Sequence, residues 1–222
     1  MRHQATQAIY AYWNELRGDR LAPRRLEIQP ARIGDLLLDT FILEHTDRSE
    51  FRFRLAGTRV SSRFGMDLRA YDFLACWSNG DRALLEHHLA AITDLGRVGL
   101  FTGEGRIASG PGTAGAPATC AFELLVLPLK HTGHSIDRLL CLLVPLEEQG
   151  AGPGTRFGDL RLLAAEAVWP NGAPEELQVF SERQSPLHPH VRTARIVRQG
   201  RRQFRVYEGG LLNVEHSKGG SL

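Results

Sequence analysis

The side chains with most chemical capacity in this sequence are three cysteines, two adjacent histidines and a short row of arginines. Cys76, Cys120 and Cys141 stand far apart with no Cys-x-x-Cys pair. Neither a redox dithiol nor a zinc knuckle is therefore expected, and the thiols read as core residues of a reduced compartment. His87 and His88 bring imidazoles, which ligate haem iron in some folds. Successive helical positions point about 100° apart, so at most one of the two can face a given site. Arg52, Arg54 and Arg59 carry planar guanidinium forks suited to a carboxylate or phosphate; the competing reading is the wet face of a strand, paired with acidic neighbours. No Gly-x-Ser-x-Gly elbow, Walker loop or His-Glu-x-x-His motif occurs. Gly103-Glu-Gly105 and Gly110-Pro-Gly112 read as loop glycines with no following helix to bind phosphate. No enzymatic activity is expected.

The elements that must position these groups can be read from periodicity. Between residues 5 and 17, Ala5, Ala8, Ile9, Tyr12, Trp13 and Leu16 recur at three- and four-residue steps, which places them on one helical face. Gly18 stops that helix, and an arginine- and proline-rich linker follows to Pro30, which can start a short helical turn through Leu37. Strands are expected over residues 38–45 and 51–56, joined by the polar turn 46–49. Phe51, Phe53 and Leu55 would share one face, with Arg52 and Arg54 on the other. Short helical pieces follow over 58–77 and a clearer helix over 81–95, ended by Gly96. Three further strands are expected over 97–107, 119–129 and 137–146, the first two joined by the glycine- and proline-rich loop 109–117. The last two are apolar at consecutive positions, so both of their faces should be covered, with the N-terminal helix as the second cover. This is an α+β domain around a five-stranded antiparallel sheet.

The organisation expected is an N-terminal helix and linker (1–30), a main domain (31–147) and a partly ordered extension (148–222), divided at the flexible stretch Glu147-Glu-Gln-Gly-Ala-Gly-Pro-Gly154. The extension holds an apolar piece over 160–169 and a basic run, in which Ile196-Val197 and Phe204-Arg-Val-Tyr207 around Gly200 are expected to pair as a hairpin. With 42% hydrophobic and 23% charged residues among 222, the chain is an ordinary globular sequence, and its net charge of +2 gives no global field toward nucleic acid or anionic lipid. No secretory signal or membrane span is expected, and a cytoplasmic location is.

Trp13-x-x-Leu16-Arg17-x-x-Arg20-x-x-Pro23-x-Arg25, Ile28-x-Pro30, Phe51-Arg-Phe-Arg-Leu-Ala-Gly-Thr-Arg59 and Gly65-x-Asp67-Leu68 resemble a PAS-like family of mainly alphaproteobacterial proteins, formerly grouped as a domain of unknown function. The resemblance covers residues 6–147. It implies a PAS fold, a cavity between the sheet and the helices, and a sensory or regulatory role exercised by small-molecule binding or by docking, as a homodimer or on a separate signalling protein. Tyr71, Trp77, His88, Phe101, Phe122 and Cys141 are the residues placed nearest such a cavity, although large aromatics equally dominate plain cores. No cofactor is expected: haem on His88 is disfavoured, and Cys76 lies in Ala-Cys-Trp where a flavin photosensor would need Asn-Cys-Arg. A ligand carrier or accessory protein using the same cavity is the alternative of a different class. The extension adds Arg198-x-x-x-Arg202 and Glu215-x-Ser217-x-x-Gly220, faintly similar to the motifs of cyclic-di-GMP-binding PilZ domains but too closely spaced. Nucleic-acid binding through this basic run is a lesser alternative, since phosphate contacts need only clustered cations.

Overall fold

A computed structural model describes residues 1–47, 50–107, 118–131, 133–146, 156–171, 194–199 and 202–207. Arg48, Ser49, the loop 109–117, the stretch 147–154 and the Glu215, Ser217 and Gly220 motif lie outside the described residues. The first compact unit is Met1–Asn171. It holds helices α1 (Gln4–Arg17), α2 (Pro30–Ile33), α3 (Thr58–Phe64) and α4 (Asn79–Leu95) and strands β1 (Thr40–Asp47), β2 (Glu50–Ala56), β3 (Val98–Ile107), β4 (Thr119–Leu129), β5 (Arg138–Pro145) and β6 (Phe157–Val168). Residues expected to open β1, up to Asp39, instead form a 3₁₀ turn over Gly34–Asp39.

The strands form one sheet in the order β2-β1-β5-β4-β3-β6, with every neighbouring pair antiparallel. The five expected strands are all present, and β6 extends the sheet to a sixth strand. Side chains on β4 and β5 alternate strictly between two cores. Leu124, Val126, Leu139, Cys141 and Leu143 face α3 and α4, whereas Leu125, Leu127, Leu129, Leu140 and Leu142 face α1 and the linker. We call these the inner and outer faces.

α1 is fastened to the outer face at both ends. Near its start, Glu123, only 1% exposed, accepts hydrogen bonds from the amides of Arg2 and His3 at 2.8 and 3.2 Å, placing a carboxylate at the positive end of the helix. Farther along, Trp13 is wholly buried and its indole N–H donates to the Pro128 carbonyl at 2.9 Å. The linker then lies alongside the end of β4: Lys130 N–H donates to the Pro23 carbonyl, and Arg25 N–H to the Lys130 carbonyl at 2.7 Å. The Gln29 amide donates to the Tyr12 hydroxyl.

Both outermost strands have part of their free edge satisfied, as unpaired edges invite aggregation. Residues 70–73 close β2, with Phe53 N–H donating to the Tyr71 carbonyl and Phe73 N–H to that of Phe51. On β6, the Leu160 carbonyl accepts from Ser78 N–H and Leu162 N–H donates to the Asp81 carboxylate.

Gly103 and Gly105 lie in β3 and not in a loop, a correction to the sequence reading. Their lack of a side chain admits aromatic rings: a Cβ at Gly103 would sit 2.5 Å from Cζ of Phe122 and 2.6 Å from the Arg161 carbonyl oxygen, and one at Gly105 2.6 Å from Phe157 Cδ1. Gly57, where β2 turns into α3, approaches the Leu37 and Leu38 carbonyls too closely for any side chain.

The second unit, Gly172–Leu222, contains an antiparallel hairpin of β7 (Ala194–Gln199) and β8 (Arg202–Tyr207), where the sequence anticipates one.

Gly103→Ala should destabilise the protein by about 1–3 kcal/mol in urea denaturation, the usual range for overpacking. Gly80→Ala, in α4 with nothing within 4 Å of the added methyl, should be neutral or stabilising by up to ~1 kcal/mol.

Candidate functional site

Four of the residues placed nearest a cavity do sit between the sheet and the helices. Trp77, Phe101, Phe122 and Cys141 are at most 1% exposed and belong to the inner core. A continuous run of ring contacts links this layer. Phe41 meets Phe73 at 5.7 Å between centroids, Phe73 meets Trp77 at 5.8 Å, Trp77 meets Phe122 at 5.9 Å and Phe122 meets Phe157 at 6.1 Å. All four are edge-to-face or tilted, in keeping with the preference of aromatic pairs for geometries other than a face-to-face sandwich. The Trp77 indole N–H is buried there without a hydrogen-bond partner. Tyr71 stands apart, 39% exposed, and it is its carbonyl that serves the edge of β2.

His88 is half-buried at the margin of the inner layer. Its ring packs edge-on against Phe101 at 5.8 Å, and its Nδ1 lies 3.2 Å from an Arg97 guanidinium nitrogen. Because guanidinium only donates, Nδ1 is the acceptor and the ring proton sits on Nε2. Burial, then Arg97, then His87 hold His88 below its ordinary pKa, so the neutral form is favoured.

Each of the three candidate anion-binding arginines faces a carboxylate. Arg52 bonds Glu50 through two nitrogens, Arg54 lies 3.9 Å from Glu44, and Arg59 reaches Asp39 at 2.8 Å. Asp39 is buried and also accepts from Arg63 at 2.7 Å. Two guanidinium groups on one carboxylate thus tie α3 to the 3₁₀ turn before β1.

Two of the three cysteines, Cys76 and Cys141, are chemically quiet. Burial, with help from Asp72 and against Arg82, pushes the Cys76 thiol up to about 12, and complete burial raises that of Cys141 well above its ordinary value. Thiolate, the reactive form, is correspondingly suppressed. Among the described residues no group of three or more His, Cys, Asp or Glu side chains is arranged to hold a metal ion, and no helix is long and apolar enough to cross a membrane.

A separate site lies on the outer face, where sequence reasoning placed no candidate. Between the linker with α2 and the strands β5, β1 and β2 opens a groove of about 330 Å³. Its walls include Ile28, Ile33, Leu37, Ile42, Leu55 and Leu140, with Arg25 as its one charged side chain. Leu26 and Leu55, adjacent in sequence to or part of this lining, are 79% and 47% exposed. The only sequence signal for this place is the arginine-rich linker itself, in which nothing local distinguishes Arg25 from its neighbours.

Two measurements check this electrostatic picture. Ellman's reagent should titrate at most one of the three thiols in the native protein and all three in denaturant; rapid native reaction of Cys76 or Cys141 would refute it. Glu123 is the second case: burial opposes its ionisation, but the Arg2 amide, Thr6 and the His3 amide outweigh this and hold it below the ordinary 4.5. Its ionised form therefore contributes stability in full above about pH 4.5, and that contribution is lost as the pH falls through the lower folded value. Glu123→Gln should cost about 1–3 kcal/mol at pH 7, and the melting-temperature gap from wild type should narrow as the pH drops below 4.5.

Compared with known proteins, the chain matches a family model described as PAS domain over residues 1–144. No curated protein matches it.

Proposed function

The chain belongs to the PAS domain family, and from that premise we propose that it is a sensory or regulatory module of bacterial signalling. It acts by binding a small molecule, by docking a protein, or by both, and it performs no chemistry of its own. The observation that carries this reading is the apolar groove on the outer face. The groove is bounded by the linker and α2 on one side and by the sheet on the other, so an occupant would bear directly on the segment that joins α1 to the domain.

Three further features agree with a non-catalytic role. The Cys76 and Cys141 thiols are held neutral, the candidate anion-binding arginines are already paired, and the aromatic layer packs ring against ring. Leu55, 47% exposed, belongs to the apolar wall of the groove, the concave and mostly apolar kind of surface that binding sites present. We assign the protein to the cytoplasm as a homodimer on the same reading.

Native mass spectrometry of the purified chain should show a dimer, a bound small molecule, or both. The double variant Leu26→Asp, Leu55→Asp, altered only at exposed positions, should keep the wild-type circular dichroism and lose that association. A wild-type monomer with no bound mass, indistinguishable from the double variant, would count against the proposal.

A further inference from the structure

Of the six arginines in the N-terminal segment, Arg17, Arg20 and Arg32 have engaged guanidinium groups, and Arg2 and Arg24 are exposed. Arg17 donates to Asn14, to the Arg20 carbonyl and to Asn171. Arg20 pairs with Glu27 at 3.0 Å. Arg32 pairs with Glu15 at 2.9 Å and lies over the Tyr12 ring at 4.8 Å. These pairs engage Glu15 and Glu27. Arg25 is different: it lines the groove, it is half-buried, and among the described residues its guanidinium has neither an acidic partner nor a hydrogen bond.

The other polar groups of the groove are engaged internally. The Thr40 hydroxyl donates to the Leu37 carbonyl at 3.0 Å, and the Gly57 amide donates to the Thr40 carbonyl at 2.8 Å. What remains for a visitor is a set of aliphatic walls and one cation. Arg25 is half-buried, and a carboxylate matches its guanidinium fork in shape and sign. A body of aliphatic or aryl carbon matches Ile28, Ile33, Leu37, Ile42, Leu55 and Leu140. The volume, about 330 Å³, lies at the small end of ligand sites, roughly 300–1,000 Å³, which is too small for a dinucleotide, flavin or haem.

We propose that this outer-face groove binds a small amphipathic carboxylic acid, with the acid group on Arg25 and the apolar body against β1, β2 and β5. The proposal rests on reading this face as the one that receives a signal. The linker and α2 form one wall of the groove, so occupancy reports to the segment that fastens α1.

Methyl-detected NMR of the full chain tests this with three probes: sodium octanoate, neutral octanol and sodium acetate. Octanoate should shift the methyl resonances of Ile33, Ile42, Leu55 and Leu140, and bind at least tenfold more tightly than octanol, while acetate alone has little effect. Arg25→Met, which keeps the stem and removes the charge, should abolish the preference for octanoate; Arg25→Lys should retain part of it. If Arg25→Met does not fold, Leu55→Trp, at an exposed position, should block the groove and remove the shifts with Arg25 intact. The proposal is overturned if octanoate leaves these methyls unmoved, if octanol binds equally well, or if the Arg25 variants behave as wild type. Should octanoate fail while Leu55→Trp breaks a dimer, the groove is an interface between copies: the ligand falls and the regulatory reading stands.

Discussion

The two central strands, β4 and β5, are apolar on both faces, and the rest of the architecture answers that constraint. A sheet with two buried faces needs two covers, and burial of apolar area is the dominant favourable contribution to folding. α3, α4 and the turns between them supply one cover; α1 and the linker supply the other. The outer cover is the more exacting, because a single helix must be held in place by few contacts. The Glu123 carboxylate at its start and the Trp13 indole farther along do this, each pairing a polar atom that would otherwise be buried unsatisfied.

The same constraint decides where an occupant can bind. On the inner face, aromatic rings contact one another from Phe41 through Phe73, Trp77 and Phe122 to Phe157, and β3 contributes glycines so that those rings can approach its backbone. On the outer face the cover is a helix followed by an irregular linker, which cannot tile a sheet as a helix row can. The groove arises where the linker leaves the end of β4 and crosses toward β1 and β2. Its chemistry follows from the same accident of covering: aliphatic sheet residues form the walls, and a linker arginine stands among them.

Charge is used sparingly and locally. Several arginines are matched to a carboxylate on the surface, as with Arg52 and Glu50 or Arg20 and Glu27. Such surface pairs contribute little individually. The pair of arginines on buried Asp39 is of another kind, because it closes the junction between β1 and α3 where Gly57 allows backbones to meet. The motif Leu-Ala-Gly-Thr-Arg, which carries the family resemblance, is thereby explained as a structural joint.

Local periodicity by itself determined the helices α1 and α4, the expected strands and the need for a second cover, since alternation and three-to-four spacing reflect only which side of an element meets water. It also determined the hairpin of β7 and β8, written in short apolar runs around a glycine. Tertiary structure alone decided the rest. β6 joins the sheet although a glycine-rich stretch precedes it, because the free edge of β3 offers hydrogen-bond partners that no local pattern announces. Tyr71 lies outside the aromatic layer that holds Trp77 and Phe122, because its backbone is committed to the edge of β2. Arg25 is left without a partner while Arg20 and Arg32 find theirs. Side-chain pairing depends on residues brought together across the fold, and a row of arginines in sequence carries no record of which of them will meet a carboxylate.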